Sequence, residues 1–346
     1  MSNKLATIQR VASVLPHDNA DSLELIKVLG WTVVAKKGEF KEGDLCVYVA
    51  LDSILPERPE FEFLRNKQFR VKTIKLRGVV SQGICFPLSV LDRLEEVEDE
   101  GVTWTVPVRP LVTEGDDVTE ALEVLKYEKP APQSADAIGH FPTHLVSKTD
   151  EERIQNLPSL IEKIQGKEVY ISVKHDGTSA TYIMEDNHFR ICSRNMELKI
   201  DGGVYGRMAL KYSLAALPDN CVVQGEIVGP GIQNNREGLK EPEFRVFNVF
   251  DIEEDYTLNY RQTKKFCEEY ELTMVDLCYL GPADEECPTW TLEGLLELAD
   301  ETKYANGSRA EGIVVRLANG GGWNEVLGKP LSFKVISNKY ALKHGE

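Results

Sequence analysis

Through the first part of the chain, apolar residues come in short runs. LELIKVLGWTVVAKKG, DLCVYVALDSILP, FRVKTIKLRG and GICFPL are rich in β-branched and aromatic residues and are bounded by Gly, Pro or Asp. These runs predict short strands, and their spacing predicts a small closed barrel over residues 1–128. A helix is predicted near Val118–Lys126. The stretch 129–142, KPAPQSADAIGHFP, holds three prolines among small polar residues and reads as a linker. The pattern then changes. Thr149 and Glu152 form a capping-box pair that predicts a helix through about Gln165. Strands are predicted at 168–174, 179–184, 189–193, 221–228, 245–252, 311–317 and 331–336, and helices at 257–271 and 290–304. Elements in this order, without a βαβ rhythm, predict an α+β second domain, residues 143–346, built on antiparallel sheets.

Composition narrows the function classes. The 346 residues are 42% apolar and 28% charged, which suits two globular domains. No apolar run reaches the length of a membrane span, and the N-terminus carries no secretory pattern. The seven cysteines are scattered without a C-x-x-C pair, which argues against a zinc site or a disulfide framework. A reducing intracellular compartment, cytoplasmic or nuclear, is the expectation. The net charge of −16 counts against nucleic-acid binding only if it is evenly spread. It is not: Phe63–Leu91 contains no acidic residue and holds Arg65, Lys67, Arg70, Lys72, Lys75 and Arg77.

The candidate chemistry begins at Val173-Lys174-His175-Asp176-Gly177, where a lysine ends a β-branched run and glycine permits a sharp turn and a close approach. Ser193-Arg194-Asn195 closes the next strands. Gly225-Glu226 leads into Ile227-Val228-Gly229-Pro230-Gly231, Phe247 precedes Val249-Phe250-Asp251, Glu311-Gly312 opens a strand, and Ser332-Phe333-Lys334 comes last. A glutamate within an apolar strand needs a partner. His175 points away from Lys174 on a strand and is given no role. No GxxxxGK[ST] loop is present, which excludes a P-loop kinase.

In this order the segments resemble the signature of the covalent nucleotidyltransferases. GEIVGPGIQ, FNVFDI and EGIVV are similar to the nick-sealing RNA ligases; SRN, KTDEERIQN and the N-terminal barrel resemble the Deinococcus–Naegleria branch. The resemblance implies an ATP-dependent RNA ligase that joins 3′-OH and 5′-phosphate ends, with RNA as partner and ATP and Mg²⁺ or Mn²⁺ as cofactors. It implies Lys174 as nucleophile, forming lysyl-AMP. Val173, Arg194, Glu226, Phe247 and Lys334 would contact the nucleotide, with Phe247 stacked on adenine, and Asp176, Glu226 and Glu311 would hold the metal. A free lysine of pKa ~10.4 is neutral in only about one molecule in ~2,500 at pH 7, so the site must favour the amine. One departure stands out: relatives carry K-x-K at the last motif, and here Ser332 takes the first place. Only 12 residues follow Lys334, too few for the OB domain that follows it in DNA ligases and capping enzymes.

The barrel is similar to tRNA-binding OB folds. Arg70, Lys72, Lys75 and Arg77 are its candidate RNA contacts, with Arg70 and Lys72 expected on one strand face. Phe63, Phe69 and Trp31 suit either stacking or the core. A ligase for DNA or RNA–DNA junctions, and a non-catalytic tRNA-binding-type OB protein, are the alternatives.

Overall fold

The computed structural model describes residues 4–99, 102–127, 136–284, 290–320, 323–324 and 329–345. Contacts divide the chain into two compact units. One comprises Met1–Pro130 with Gln155–Pro158 and Ala341–Glu346; the other comprises Ala131–Ile154 with Ser159–Tyr340.

In the first unit five strands form an antiparallel sheet in the order β3-β2-β1-β4-β5: β1 (Ala6–Pro16), β2 (Leu23–Val28), β3 (Trp31–Lys36), β4 (Leu45–Val49) and β5 (Ile84–Pro87). β1 is long enough to serve two partners. Ala6–Arg10 pair with β4, and Val11–Pro16 pair with β2, with a register shift between Val11 and Ser13. The bulge bends the strand and curls the sheet, as a small barrel requires. Ile8, Val47, Trp31 and Phe61 fill the interior. Trp31 is therefore core rather than a stacking surface, and its indole N–H donates to Asn156 Oδ1 at 2.8 Å. Phe69 is buried too, whereas Phe63 is 60% exposed.

Among the described residues, the second unit is built on two main sheets, antiparallel except where Thr273–Met274 runs parallel to Arg245–Val246 in the larger. In the smaller, β6 (Glu168–Lys174) pairs with β13 (Gly312–Leu317), which pairs with β14 (Ser332–Ile336); β12 (Leu277–Pro282) lies on the other edge. In the larger, β9 (Met196–Leu198), β8 (His188–Ser193), β7 (Thr178–Glu185), β10 (Cys221–Val228) and β11 (Glu243–Asp251) are successive neighbours. Tyr182, Val223, Phe244 and Val246 form its core. Only three residues, His175 to Gly177, lie between β6 of one sheet and β7 of the other. Helices Tyr260–Glu269 and Leu292–Glu301 start at Asn259 and Thr291, whose side chains accept from backbone N–H groups of the first turn.

Three expectations are corrected. Val118–Lys126 forms turns and a two-residue strand, Leu125–Lys126, pairing with Ser53–Ile54. The helix expected from Thr149 to Gln165 shrinks to Leu160–Ile164. The Thr149 hydroxyl is 2.7 Å from that of Ser179 and caps nothing, and Pro158 interrupts the run. Within the expected linker, Ala137–His140 is a strand paired with Met196–Leu198; residues 129–135 lie outside the described ones. Helix Gly203–Lys211 was missed, because GGVYGRM has poor intrinsic helix propensity.

Candidate active site

Strand register assembles the site. Lys174 pairs with Gly312, Val314 with Lys334, and Arg316 with Ser332. Side chains two apart share a face, so Lys174, Arg316, Ser332 and Lys334 all project from the same side of the small sheet. Lys174 Nζ lies 2.8 Å from Glu311 Oε2. Glu311 sits just ahead of β13, and Gly312 must follow it: a Cβ there would lie 2.1 Å from the Val335 carbonyl oxygen.

The turn after Lys174 is gripped residue by residue by one loop. Gln233 donates to the Gly177 carbonyl at 3.1 Å, Arg236 Nε donates to Asp176 Oδ2 at 2.5 Å, and Glu237 Oε1 lies 2.7 Å from His175 Nδ1. Gly177 is needed for closeness to the neighbouring strand, not to a ligand: a Cβ would lie 2.4 Å from the Ile227 carbonyl oxygen and 2.7 Å from Glu226 Cγ. His175, given no role from the sequence, is buried and stacks on Tyr304 with ring centroids 5.8 Å apart.

Tyr304 is the second residue the sequence did not reveal. Its hydroxyl oxygen accepts from the N–H groups of Asp176 (3.1 Å) and Glu311 (3.2 Å) and donates to the Lys174 carbonyl (3.3 Å). It opens a tight turn in which Asn306 and Ser308 donate to the Arg236 carbonyl at 2.8 and 2.7 Å. Val173, expected to touch nucleotide, packs with Tyr304 and Ala310 instead, and its N–H is taken by the Asp276 carbonyl at 2.8 Å. Alternation along β6 puts its side chain on the face opposite Lys174.

Electrostatics bind the remaining groups into one cluster. Confinement by protein pushes the Glu226 carboxyl up to about 8; the Glu311 and Asp176 carboxylates push the same way, against Lys174 and Arg194. The same confinement, with the Arg153 and Lys174 cations nearby, pulls Lys334 down to about 8. Both keep part of their surface open, so neither lies in a sealed interior. Arg194 pairs with Asp150. Among the described residues, no three His, Cys, Asp or Glu side chains meet as a ready-made metal cage.

Phe247 is not core. Asn248 pairs with Gln224 and Val246 with Gly225, which leaves Phe247 as the extra residue of a bulge. A bulge re-aims a side chain, and Phe247 lies partly exposed with the Arg316 guanidinium 5.5 Å from its ring centre.

Two family models match the chain, an OB-fold domain over residues 5–88 and an RNA ligase over residues 167–336. A Naegleria gruberi RNA ligase, solved as a lysine-to-alanine variant with ATP and Mn, is 32% identical over 99% of both chains, with a TM-score of 0.83. This chain belongs to the RNA ligase family. A glutamate-to-alanine variant of the Naegleria enzyme with AMP and Mn, and the same enzyme with PPi, each match at a TM-score of 0.82, 32% identity and 99% of both chains. No curated protein matches. Among the described residues of this RNA ligase, no helix is long and apolar enough to cross a membrane, and the six described cysteines are free.

Where the ligase has Ser332 instead of lysine, the hydroxyl donates to Glu151 at 2.5 Å, and Glu151 also holds Arg316 at 2.8 Å. A cation thus stands beside position 332 after all, supplied by the neighbouring strand.

The expected RNA contacts in the OB unit divide. Arg70 is buried, paired with Asp52 at 2.5 Å and lying 3.5 Å over the Tyr127 ring, so it is a structural residue. Arg70 and Lys72 do not share a strand face, because the strand there spans only Ile74–Leu76. Lys75 and Arg77 are exposed on that hairpin, and Lys72 is partly exposed.

Proposed function

We propose that this RNA ligase seals 3′-OH and 5′-phosphate ends through AMP carried on Lys174. The supporting observation is the convergence of Lys174, Glu311, Asp176, Glu226 and Lys334 in one electrostatically coupled cluster. In the first step the Lys174 amine attacks the α-phosphorus of ATP. A nitrogen–phosphorus bond forms, the bond to the bridging oxygen breaks, pyrophosphate departs, and the amine loses its proton. In the second step AMP passes to an RNA 5′-phosphate. In the third, a 3′-OH displaces AMP and closes the phosphodiester. Each step is displacement at phosphorus, where orientation and charge neutralisation supply most of the rate.

Lys334 is suited to the α-phosphate as its charge grows, Arg194 to the ribose or the incoming phosphate, and Phe247 to the adenine face. The carboxylates fit a divalent cation. Burial holds the Glu226 carboxyl up, and Glu311 and Asp176 add to it, a crowding that a positive ion relieves. With no ready-made cage, the fit is to a hydrated Mg²⁺ or Mn²⁺ held through water by Asp176, Glu226 and Glu311. When bound, the ion neutralises the triphosphate. The ATP, AMP and Mn of the Naegleria structures support the same choice of ligands here.

The OB unit, residues 1–128, is assigned to RNA binding through Lys72, Lys75 and Arg77, and nicked duplex is the favoured substrate. Incubation with ATP labelled at the α-phosphorus and Mn²⁺ tests the central step. Label should appear on the protein and vanish in Lys174→Ala; no label, or equal label in the variant, ends the reading. Sealing of matched nicked and single-stranded RNA, DNA and mixed substrates then identifies the junction.

A further inference from the structure

We infer that Tyr304 is a positioning residue for the nucleophile, a role that rests on the lysyl-AMP reading above. Its hydroxyl is the shared partner of three backbone groups from two segments: the Lys174 carbonyl, the Asp176 N–H and the Glu311 N–H, at 3.3, 3.1 and 3.2 Å. Strand pairing joins Lys174 to Gly312 but stops there. Beyond that point the chain leaves β6 for the other sheet, and Glu311 precedes β13. The amine and its carboxylate partner therefore stand at the end of the β6–β13 ladder, where the Glu311 carbonyl accepts from the Ser337 N–H at 2.9 Å. Tyr304 closes that end as a further rung.

The phenol is suited to the task. It is buried, and burial pushes its ionisation up, so it stays a neutral hydroxyl that donates once and accepts twice. Its ring packs with Val173 and Ala310 and stacks on His175. Its own backbone is fixed by the turn that also holds Arg236. The hydroxyl thus sets the spacing between the Lys174 and Glu311 backbones, and through them the 2.8 Å separation of the side chains. Removing it leaves two N–H groups without that acceptor and lets the segments drift apart. A displacement of about 1 Å at a reacting group costs up to roughly a hundredfold in rate.

Tyr304→Phe keeps the ring and deletes only the hydroxyl. The full-length variant is compared with wild type and Lys174→Ala for the rate of labelled adduct formation across ATP concentrations. Thermal melting and backbone hydrogen exchange are measured on the same preparations. The expected result is a kcat for adduct formation lowered about ten- to a hundredfold, with KM for ATP within about threefold. Exchange should quicken at Asp176 and Glu311, with the melt nearly unchanged. Adduct formation at the wild-type kcat overturns the inference. So does a loss matched by a general fall in melting temperature and exchange protection. If wild type takes no label, or Lys174→Ala labels equally, it is the lysyl-AMP reading that fails; a normal Tyr304→Phe beside a labelled wild type and a blank Lys174→Ala sinks the Tyr304 role alone.

Discussion

Lys174 Nζ and Glu311 Oε2 stand 2.8 Å apart although 137 residues separate them in the chain. The pair exists because Lys174 ends β6 and Gly312 begins β13, and those two residues are ladder partners. Removing the carboxylate removes the partner of the amine proposed to react. Glu311→Ala should lower lysyl-AMP formation by about 10²–10³-fold while leaving the fold intact. Label transfer and circular dichroism on the same sample check both halves.

Arg236 and Asp176 form the latch between the QNNREG loop and the turn after Lys174, at 2.5 Å and with little exposure on either side chain. Breaking one side of such a pair strands the other charge. Arg236→Ala should cost on the order of 1–3 kcal/mol. A double-mutant cycle with Asp176→Asn, read by denaturant unfolding, should show coupling above about 1 kcal/mol.

In the proposed reaction Lys334 would meet phosphate as a cation, and burial beside Arg153 and Lys174 pulls it down to about 8. In the free enzyme it therefore loses its charge as pH rises through about 8. kcat/KM for ATP, which reports free-enzyme ionisations, should fall above that pH. Lys334→Arg should move the alkaline limb upward, since guanidinium stays charged.

Glu226 shows the opposite sign in stability. Its folded carboxyl, pushed to about 8, binds a proton more tightly than the unfolded carboxyl at 4.5. Between those values the folded state holds the extra proton, so its stability contribution is present below about 4.5 and is lost as pH rises to about 8. In the nucleotide-free protein, Glu226→Gln should flatten that decline, by on the order of 1–2 kcal/mol after allowance for partial exposure. Melting curves from pH 5 to 9 give the comparison.

In the OB unit, Lys72, Lys75 and Arg77 should behave differently from Arg70. The triple alanine variant should weaken RNA binding and reduce the salt slope by about 2, at roughly 0.7 per contact. Arg70→Ala should instead lower stability, because it strips Asp52 and Tyr127 of their partner. Binding titrations at several salt concentrations separate the two cases.

The order of local motifs along the chain was enough to single out Lys174, Glu226, Glu311 and Lys334 as candidates, because each lies in or beside a run of β-branched residues whose period and boundaries are local properties. Strands near 168–174, 221–228 and 311–317 were legible for the same reason. Tertiary structure decided everything that depends on which strand lies beside which. It turned Arg70 inward and Phe247 outward at a bulge, and it brought Arg316 next to Ser332. Arg236 and Tyr304 sit in polar turns with no periodicity, so nothing local marks them; Arg236 meets Asp176 across 60 residues and Tyr304 meets Asp176 across 128, at distances only the folded chain makes short.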